Sequence, residues 1–396
     1  MSDNPPSRLR RRVTQAFRNR FGREPSVVAR APGRVDLLGA HVDYNEGWVL
    51  PVAIDRHVLV AASPAAGTET RIVALDFEGE GAFDLAALPE PAALRSTGPP
   101  WLAYPAGVAW VLLRAGHRLR GLDAVFAGNL PIGAGMSSSA AVETAFLLAW
   151  ESASELSLER RARAELGRRA ENDYVGVACG IMDQFTSVHG AADHAVLLDC
   201  RSLDHELVPV PSGAVILVAD SGVRRELAGS EFNTRRRECE QAVAWLRRSL
   251  PGVRALRDVS PDELERHADG MPEVPRRRAR HIVGECARVL EGAGALRRGD
   301  TAAFGQAMRR SHESSRELYD VSLPELDLLA ETAWSRPGCR GARVIGAGFG
   351  GCVAALADRD AAGDVQAAVR TEFTRRFGRV PAVHACRASD GADLER

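Results

Sequence analysis

The chain has no lysine. All 51 of its basic residues are arginine, in a sequence of 396 residues. This excludes a Walker-type nucleotide loop, which needs Gly-Lys-Ser/Thr, and a protein-kinase fold, which needs a strand lysine on the phosphates. It also excludes Schiff-base catalysis. Cysteine pairs are missing as well: the seven cysteines include no Cys-x-x-Cys, which argues against a zinc site or a disulfide framework and fits a reducing cytosol. No apolar run approaches membrane-spanning length. The N-terminal residues lead into an arginine-rich helix rather than a signal peptide. A net charge of −1 gives no reason to expect nucleic acid or an anionic membrane as partner. A cytoplasmic enzyme or binding protein acting on small molecules remains.

The length favours two domains. Helix is expected over Pro5–Phe21, then a short strand Ser26–Arg30, strands Trp48–Ile54 and His57–Ala62, and a surface excursion from Gly79 to Pro100. Further helices are expected over Trp101–Ala115 and Leu158–Tyr174, with closing strands near residues 195–199 and 207–210. A second half follows, with a buried-type strand at Val215–Asp220, several helices, and a strand–glycine turn–strand unit around Gly346–Gly351. The reading is two α+β domains, 1–205 and 206–396.

What is present in abundance is a glycine–serine loop, Leu130-Pro-Ile-Gly133-Ala-Gly135-Met-Ser137-Ser138-Ser139-Ala140. It lies between a strand-like run (Gly121–Gly128) and an Ala/Leu-rich helical run (Ala140–Trp150). A glycine loop entering a helix leaves several N–H groups unpaired beside the positive end of the helix dipole, which suits phosphate. The serines equally fall where helix caps belong. If the loop holds ATP phosphates without lysine, backbone amides, the helix dipole and Mg²⁺ must do so.

Gly346, Gly348 and Gly351 match the dinucleotide string Gly-x-Gly-x-x-Gly, but the residues that follow read as a strand, not a helix, so that reading is rejected. The glycines serve either a tight hairpin or a close backbone approach to a ligand. His41 and Asp43 lack a third ligand of related spacing, which argues against metal. Asp43 can accept two hydroxyls, or cap a turn with Asn45. Asp183 and Arg34 are either surface residues or, if they meet at the loop, a phosphoryl-transfer centre. In that centre the carboxylate takes a proton from the attacking hydroxyl and the guanidinium offsets developing charge. Glu171 is either an exposed helix residue or within reach of Mg²⁺.

Together these segments resemble the galactokinase branch of the GHMP small-molecule kinases over nearly the whole length. Gly33–Pro51 is similar to the sugar-binding signature of that branch, Pro131–Ala141 to its phosphate loop, and Gly346, Gly348 and Gly350 to its third motif. Cys179–Phe185 and Ser230–Cys239 also match. The resemblance implies a ribosomal-S5-like N-terminal domain, a ferredoxin-like C-terminal domain and a site in the cleft between them. It implies ATP-dependent phosphorylation of an aldose at its anomeric hydroxyl, with Asp183 as base and Arg34 as its electrostatic partner. ATP phosphates fall to Gly133, Gly135, Ser137, Ser138, Ser139 and Ala140, Mg²⁺ to Ser138 or Ser139 with Glu171, and adenine to Trp101. The sugar falls against Ala40, His41, Asp43, Gly180 and Phe232. A monomer is expected.

Two positions depart from the family pattern. The signature usually reads Gly-Glu-His, its glutamate contacting the sugar 6-hydroxyl, but here Ala40 stands there, as in plant galacturonic-acid kinases. A glutamate would repel a C6 carboxylate by about 4 kcal/mol at 4 Å in an effective dielectric of about 20. Phe232 stands where a tyrosine touches the sugar. The substrate is therefore expected to be D-galactose, with a uronic acid or another C6 variant as the alternative. A non-catalytic sugar sensor is disfavoured by Ser139-Ala140, which such sensors lack. Mevalonate- or homoserine-type branches are disfavoured by Asp43-Tyr44-Asn45.

Overall fold

Leu9, Val13 and Phe17 recur every four residues along the first helix, α1 (Pro5–Phe21). That spacing puts them on one face, and all three are buried against Val28, Leu59, Ala61 and Val125 of the first sheet. The computed structural model describes residues 5–90, 98–131, 135–224 and 228–395.

The first sheet is built on two long antiparallel strands, β1 (Val27–Leu38) and β2 (Trp48–Pro64). Both exceed the sequence expectation. β1 was expected to stop at Arg30, where polar residues begin; it continues because Arg34 and Asp36 find buried ion partners in Asp183 and Arg343. The register slips between Pro32 and Arg34 and again between Asp36 and Leu38, so the polar stretch is accommodated by irregularity rather than by ending the strand. β2 was expected as two strands broken at Asp55-Arg56. It stays continuous, with Asp55 paired through its backbone and its carboxylate to Arg387 near the chain's end.

The remaining strands are β3 (Glu69–Ala74), β4 (Glu80–Asp84), β5 (Leu122–Gly128), β6 (His194–Asp199), β7 (His205–Pro209) and, from the far end of the chain, β12 (Asp393–Leu394). The order is β12-β1-β2-β5-β3-β4, with β6 and β7 attached through β2. β4 lies inside the stretch expected to be an irregular excursion. The helices α2 (Ala103–Arg114), α3 (Ser138–Ala153), α4 (Arg160–Arg169) and α5 (Met182–His189) follow in this half. After α4 the chain widens into a π-type turn over Ala170–Val175, where a single helix to Tyr174 was expected; such turns are frequent at functional sites.

The second sheet has strands β8 (Ala214–Asp220), β9 (Cys339–Val344), β10 (Cys352–Asp358) and β11 (Ala382–Cys386) in the order β11-β8-β10-β9. Counted within this half, that is 4-1-3-2, the ferredoxin-like arrangement. The helices α10 (Pro324–Trp334) and α11 (Ala362–Phe377) cover one face with Leu326, Leu329, Val365 and Phe373. The other face sends Ile216, Val218, Ala354 and Leu356 into a core shared with Leu37, Leu38 and Leu50 of the first sheet. The helices α6 (Ala228–Leu246), α7 (Pro261–His267), α8 (Glu273–Arg297) and α9 (Thr301–Glu317) fill the long crossover between β8 and α10. The division expected after residue 205 falls at the first residue of β7, which pairs with β6, and β12 returns the C-terminus to β1.

Candidate active site

The irregular end of β1 points Arg34 toward α5. Its Nε and Nη2 donate to the two oxygens of Asp183 at 2.8 and 2.7 Å, and its Nη1 donates to the Gly135 carbonyl at 2.7 Å. Asp183 lies in the first turn of α5, as the sequence suggests. One planar guanidinium thus fixes both the carboxylate and the glycine loop. The loop itself is drawn against β1: the Arg34 N–H donates to the Met136 carbonyl at 3.1 Å. A Cβ on Gly33 would lie 2.5 Å from that carbonyl oxygen, so only glycine permits the approach.

Ser137 occupies the N-cap position of α3 but makes no side-chain cap. Its backbone is left-handed, with φ +57°, and its hydroxyl donates to Asp183 Oδ2 at 2.5 Å. The cap expected of these serines is therefore not formed by Ser137. Ser138 opens the helix, Ser139 hydrogen-bonds the Glu171 carboxylate, and Ala140 is fully buried. Gly133 falls outside the described residues. Across the cleft, Gly346 (φ +70°) faces Gly135, its Cβ direction 3.9 Å from the Gly135 backbone. Gly348 and Gly350 also have positive φ, and a Cβ on either would clash with the carbonyls of Val321 or Val223 at 2.5 and 2.6 Å. Gly346 thus meets the first half, while Gly348 and Gly350 pack on Val321 and Val223 of their own half.

The sugar signature forms a tight turn. His41 has φ +60°, and a 3₁₀ turn follows at Asp43–Asn45. His41 Nε2 faces the Ala347 carbonyl at 3.1 Å, and Nδ1 meets the Tyr44 hydroxyl at 2.8 Å. Those partners assign the proton to Nε2. Burial pushes the His41 pKa down to about 3, so the ring is neutral and both nitrogens are engaged. Tyr44 continues the chain to Tyr319 at 2.8 Å and on to Cys239 Sγ at 3.2 Å. Phe232 packs on His41 and Tyr44 with ring centroids 5.6 and 5.1 Å away.

Asp43 presses on Gly180 so closely that any Cβ there would overlap its carboxylate. Burial, then the nearby Asp183 charge, raise the Asp43 pKa to about 7. A cavity of about 380 Å³ collects Arg34, His41, Asp43, Gly180, Asp183, Phe232, Glu171 and Gly346. It also takes in Asp36, Tyr44, Asn233 and Ala347, which sequence reasoning did not select. Tyr44 and Asn233 stood inside matched segments, and their polar side chains were the available signal.

Two expected residues lie elsewhere. Ala40 is buried beside the cavity but is not among its lining residues. Its N–H and that of Gly39 donate to Glu285 Oε1 on α8, and its carbonyl meets His281 Nε2. Trp101 is packed into the first-half core edge-on to Phe126, with its indole N–H unpartnered.

Glu171 is buried, not exposed. It accepts from Gln184 Nε2 at 2.7 Å, and the same amide reaches Glu143 at 3.0 Å. Burial and the Asp183 charge raise the Glu171 pKa, and burial and Glu171 raise that of Glu143. Glu143 Oε1 has no partner. A cation would relieve this crowding of carboxylates, so the donor set fits Mg²⁺. No group of three His, Cys, Asp or Glu converges as a metal cage among the described residues.

A glycine loop opening a helix, a second glycine turn facing it and a part-buried Arg–Asp pair beside them define a two-domain small-molecule kinase. The GHMP kinase N-terminal domain matches residues 103–191 and the GHMP kinase C-terminal domain residues 293–375. The galactokinase galactose-binding signature matches residues 15–64. The chain is 45% identical over 379 residues to a galactokinase of Roseiflexus sp. (strain RS-1), covering 96% of this chain and 95% of the relative. It is 42% identical to a galactokinase of Chloroflexus aggregans, covering 96% of each. Among solved structures, Lactococcus lactis galactokinase complexed with galactose superposes with TM-score 0.89 at 30% identity, covering 96% of this chain and 98% of that one. A mevalonate kinase, at 16% identity and TM-score 0.64, covers 92% and 100% and shares the fold. The chain belongs to the galactokinase family.

Proposed function

We propose that the chain is an ATP-dependent galactose 1-kinase, converting D-galactose to α-D-galactose 1-phosphate. The observation that best supports this is the Arg34–Asp183 pair, tied to the glycine loop at the Gly135 carbonyl and lining one cavity with His41 and Asp43 of the galactose-binding signature. Asp183 accepts the proton of the anomeric hydroxyl as that oxygen attacks the γ-phosphorus, and ADP leaves. Arg34 holds the carboxylate in one orientation and offsets the charge that develops. Asp43 accepts sugar hydroxyls, and the faces of His41 and Phe232 bound the ring. Loop amides at Gly135 and Ser137–Ala140 hold phosphate oxygens at the start of α3. Glu171, with Ser138 or Ser139, would hold Mg²⁺. When bound, the ion neutralises phosphate charge in transfer. The third motif closes the loop from the other side.

The uronic-acid alternative is not favoured: the curated relatives at 42–45% identity are galactokinases, and Ala40 does not line the cavity. The deciding experiment follows ADP release with galactose and with galacturonate, and identifies the product by ³¹P NMR. A kcat/KM for galactose at least tenfold above that for galacturonate, with an anomeric phosphate, is expected. Preference for galacturonate, or ADP release without a sugar 1-phosphate, would overturn the assignment.

A further inference from the structure

Behind the Asp43–Gly180 wall lies a second cavity, of about 540 Å³, which shares Asp43, Tyr44, Cys179 and Gly180 with the first. Its chemistry is different. Five arginines line it: Arg161, Arg168, Arg201, Arg236 and Arg254. They come from separate elements. Arg161 and Arg168 are seven apart on α4, two helical turns, and so lie on one face. Arg201 follows β6, Arg236 is on α6, and Arg254 is in the turn before Leu256–Asp258.

The carboxylates at this cavity are already engaged. Glu165 accepts from Arg161 at 3.4 Å, Glu46 from Arg201 at 2.5 Å, and Asp43 from the Tyr44 N–H at 2.9 Å. Arg201 also takes Asp258 at 2.6 Å, and Arg236 takes Glu240 at 3.3 Å. The guanidiniums of Arg168 and Arg254 make no ion pair among the described residues, although the Arg254 N–H donates to Asp258 at 2.8 Å. Arg168 Nε and Arg201 Nη2 are buried donors with no acceptor. Five guanidiniums and three carboxylates thus line the cavity, an excess of positive charge at its wall, with Asp258 and Glu240 behind them, in a volume suited to a small organic molecule. Guanidinium donors of this kind match the oxygens of a phosphate.

We propose that this cavity is a binding site for a phosphate dianion, free or carried as a monoester, separate from the phosphate loop and divided from the sugar cavity by Asp43 and Gly180. The anion sits between Arg168 and Arg254, and any attached sugar or other small group extends along the remaining volume. The proposal is independent of which sugar the first cavity takes, because binding is read directly.

The test is calorimetric titration of the full chain with inorganic phosphate and, separately, with galactose 1-phosphate. Both are run with the active site empty and with it filled by galactose and a non-hydrolysable ATP analogue. Binding of at least one probe that persists in the filled enzyme is expected. Tighter binding of the sugar phosphate assigns the site to an organic phosphate; tighter binding of phosphate assigns it to the inorganic ion. The double variant Arg168→Gln/Arg254→Gln should weaken that binding at least tenfold and leave kcat without added phosphate within twofold of the parent. Arg168→Lys, which keeps the charge, should retain most of the affinity and controls for folding. No binding of either probe to the filled enzyme, or parental affinity in the folded double variant, would overturn the proposal.

Discussion

Ser137 and Asp183, 46 residues apart, are joined by a 2.5 Å hydrogen bond from the serine hydroxyl to the carboxylate. The serine that could have capped α3 is spent on the aspartate that Arg34 also grips. The anion end of the helix and the proposed base are therefore one mechanical unit. A hydrogen bond to a charged group contributes about 1.5–3 kcal/mol. Ser137→Ala should lower kcat roughly 10-fold or more, since about 1.4 kcal/mol is a factor of ten, with little change in the KM for sugar. Asp183→Asn should lower kcat by roughly 100-fold or more while the melting temperature stays near the parent's. Steady-state kinetics on both variants measures this; an unchanged kcat in Asp183→Asn would remove the aspartate from the role of base.

Asp43 supplies the pH dependence. Its pKa is raised to about 7, first by burial and then by Asp183. Only the ionised form accepts two hydroxyls, so kcat/KM for galactose should rise between about pH 6 and pH 8, with an apparent pKa near 7. For stability the sign is opposite. A carboxyl whose folded pKa lies above its unfolded value stabilises fully below the unfolded pKa, and the contribution is lost as pH rises through the folded pKa. The sugar-free protein should therefore lose on the order of a few kcal/mol from this group between about pH 4 and pH 7. Urea unfolding across that window should show the slope, and Asp43→Asn should flatten it.

The resemblance places Gly180 against the sugar, but the sequence offers no physical reason for a glycine there. The structure supplies it: a Cβ would overlap the Asp43 carboxylate. Gly180→Ala must displace either Asp43 or the turn before α5. Overpacking of this kind costs about 1–3 kcal/mol. KM for galactose should rise about 5- to 100-fold if, as proposed, the displaced Asp43 is the hydroxyl acceptor, with a smaller effect on KM for ATP. Equal losses for both substrates would place the strain in the fold rather than at the sugar.

The same contrast runs through the whole chain. Helix periodicity and glycine turns were readable locally, so α1, α3, α5 and the glycine turn after β9 are where their residues suggest. The Arg34–Asp183 pairing could be named because the chemistry requires such a pair. Strand lengths were misread at Arg30 and Asp55 because polar residues look like strand ends until their distant partners are known. Glu171 looked exposed for the same reason: Gln184, which accounts for its burial, is 13 positions away. For Trp101 and Ala40, named from the resemblance, the sequence did not show that the indole packs on Phe126 or that the Ala40 backbone is held by Glu285 and His281.

The pair Asp36–Arg343 tests how the two halves are coupled. Asp36 is in β1 and Arg343 in β9, both almost wholly buried, with Nη1 to Oδ2 at 2.9 Å and a further bond to the Asp36 carbonyl at 3.0 Å. Burial raises the Asp36 pKa and Arg343 opposes that rise. Asp36 Oδ1 and Arg343 Nη2 have no partner, so the pair is incompletely satisfied. Removing one member leaves a buried charge alone, at a cost of about 3–5 kcal/mol, whereas replacing both with apolar groups of similar size is often neutral or stabilising. Arg343→Met should lower the urea midpoint markedly, and Asp36→Leu/Arg343→Met should recover most of the loss. Asp36 also faces the sugar cavity, so the double variant separates two roles: recovered stability with recovered kcat makes the pair a structural tie between the sheets, and recovered stability with lost kcat assigns Asp36 to the site.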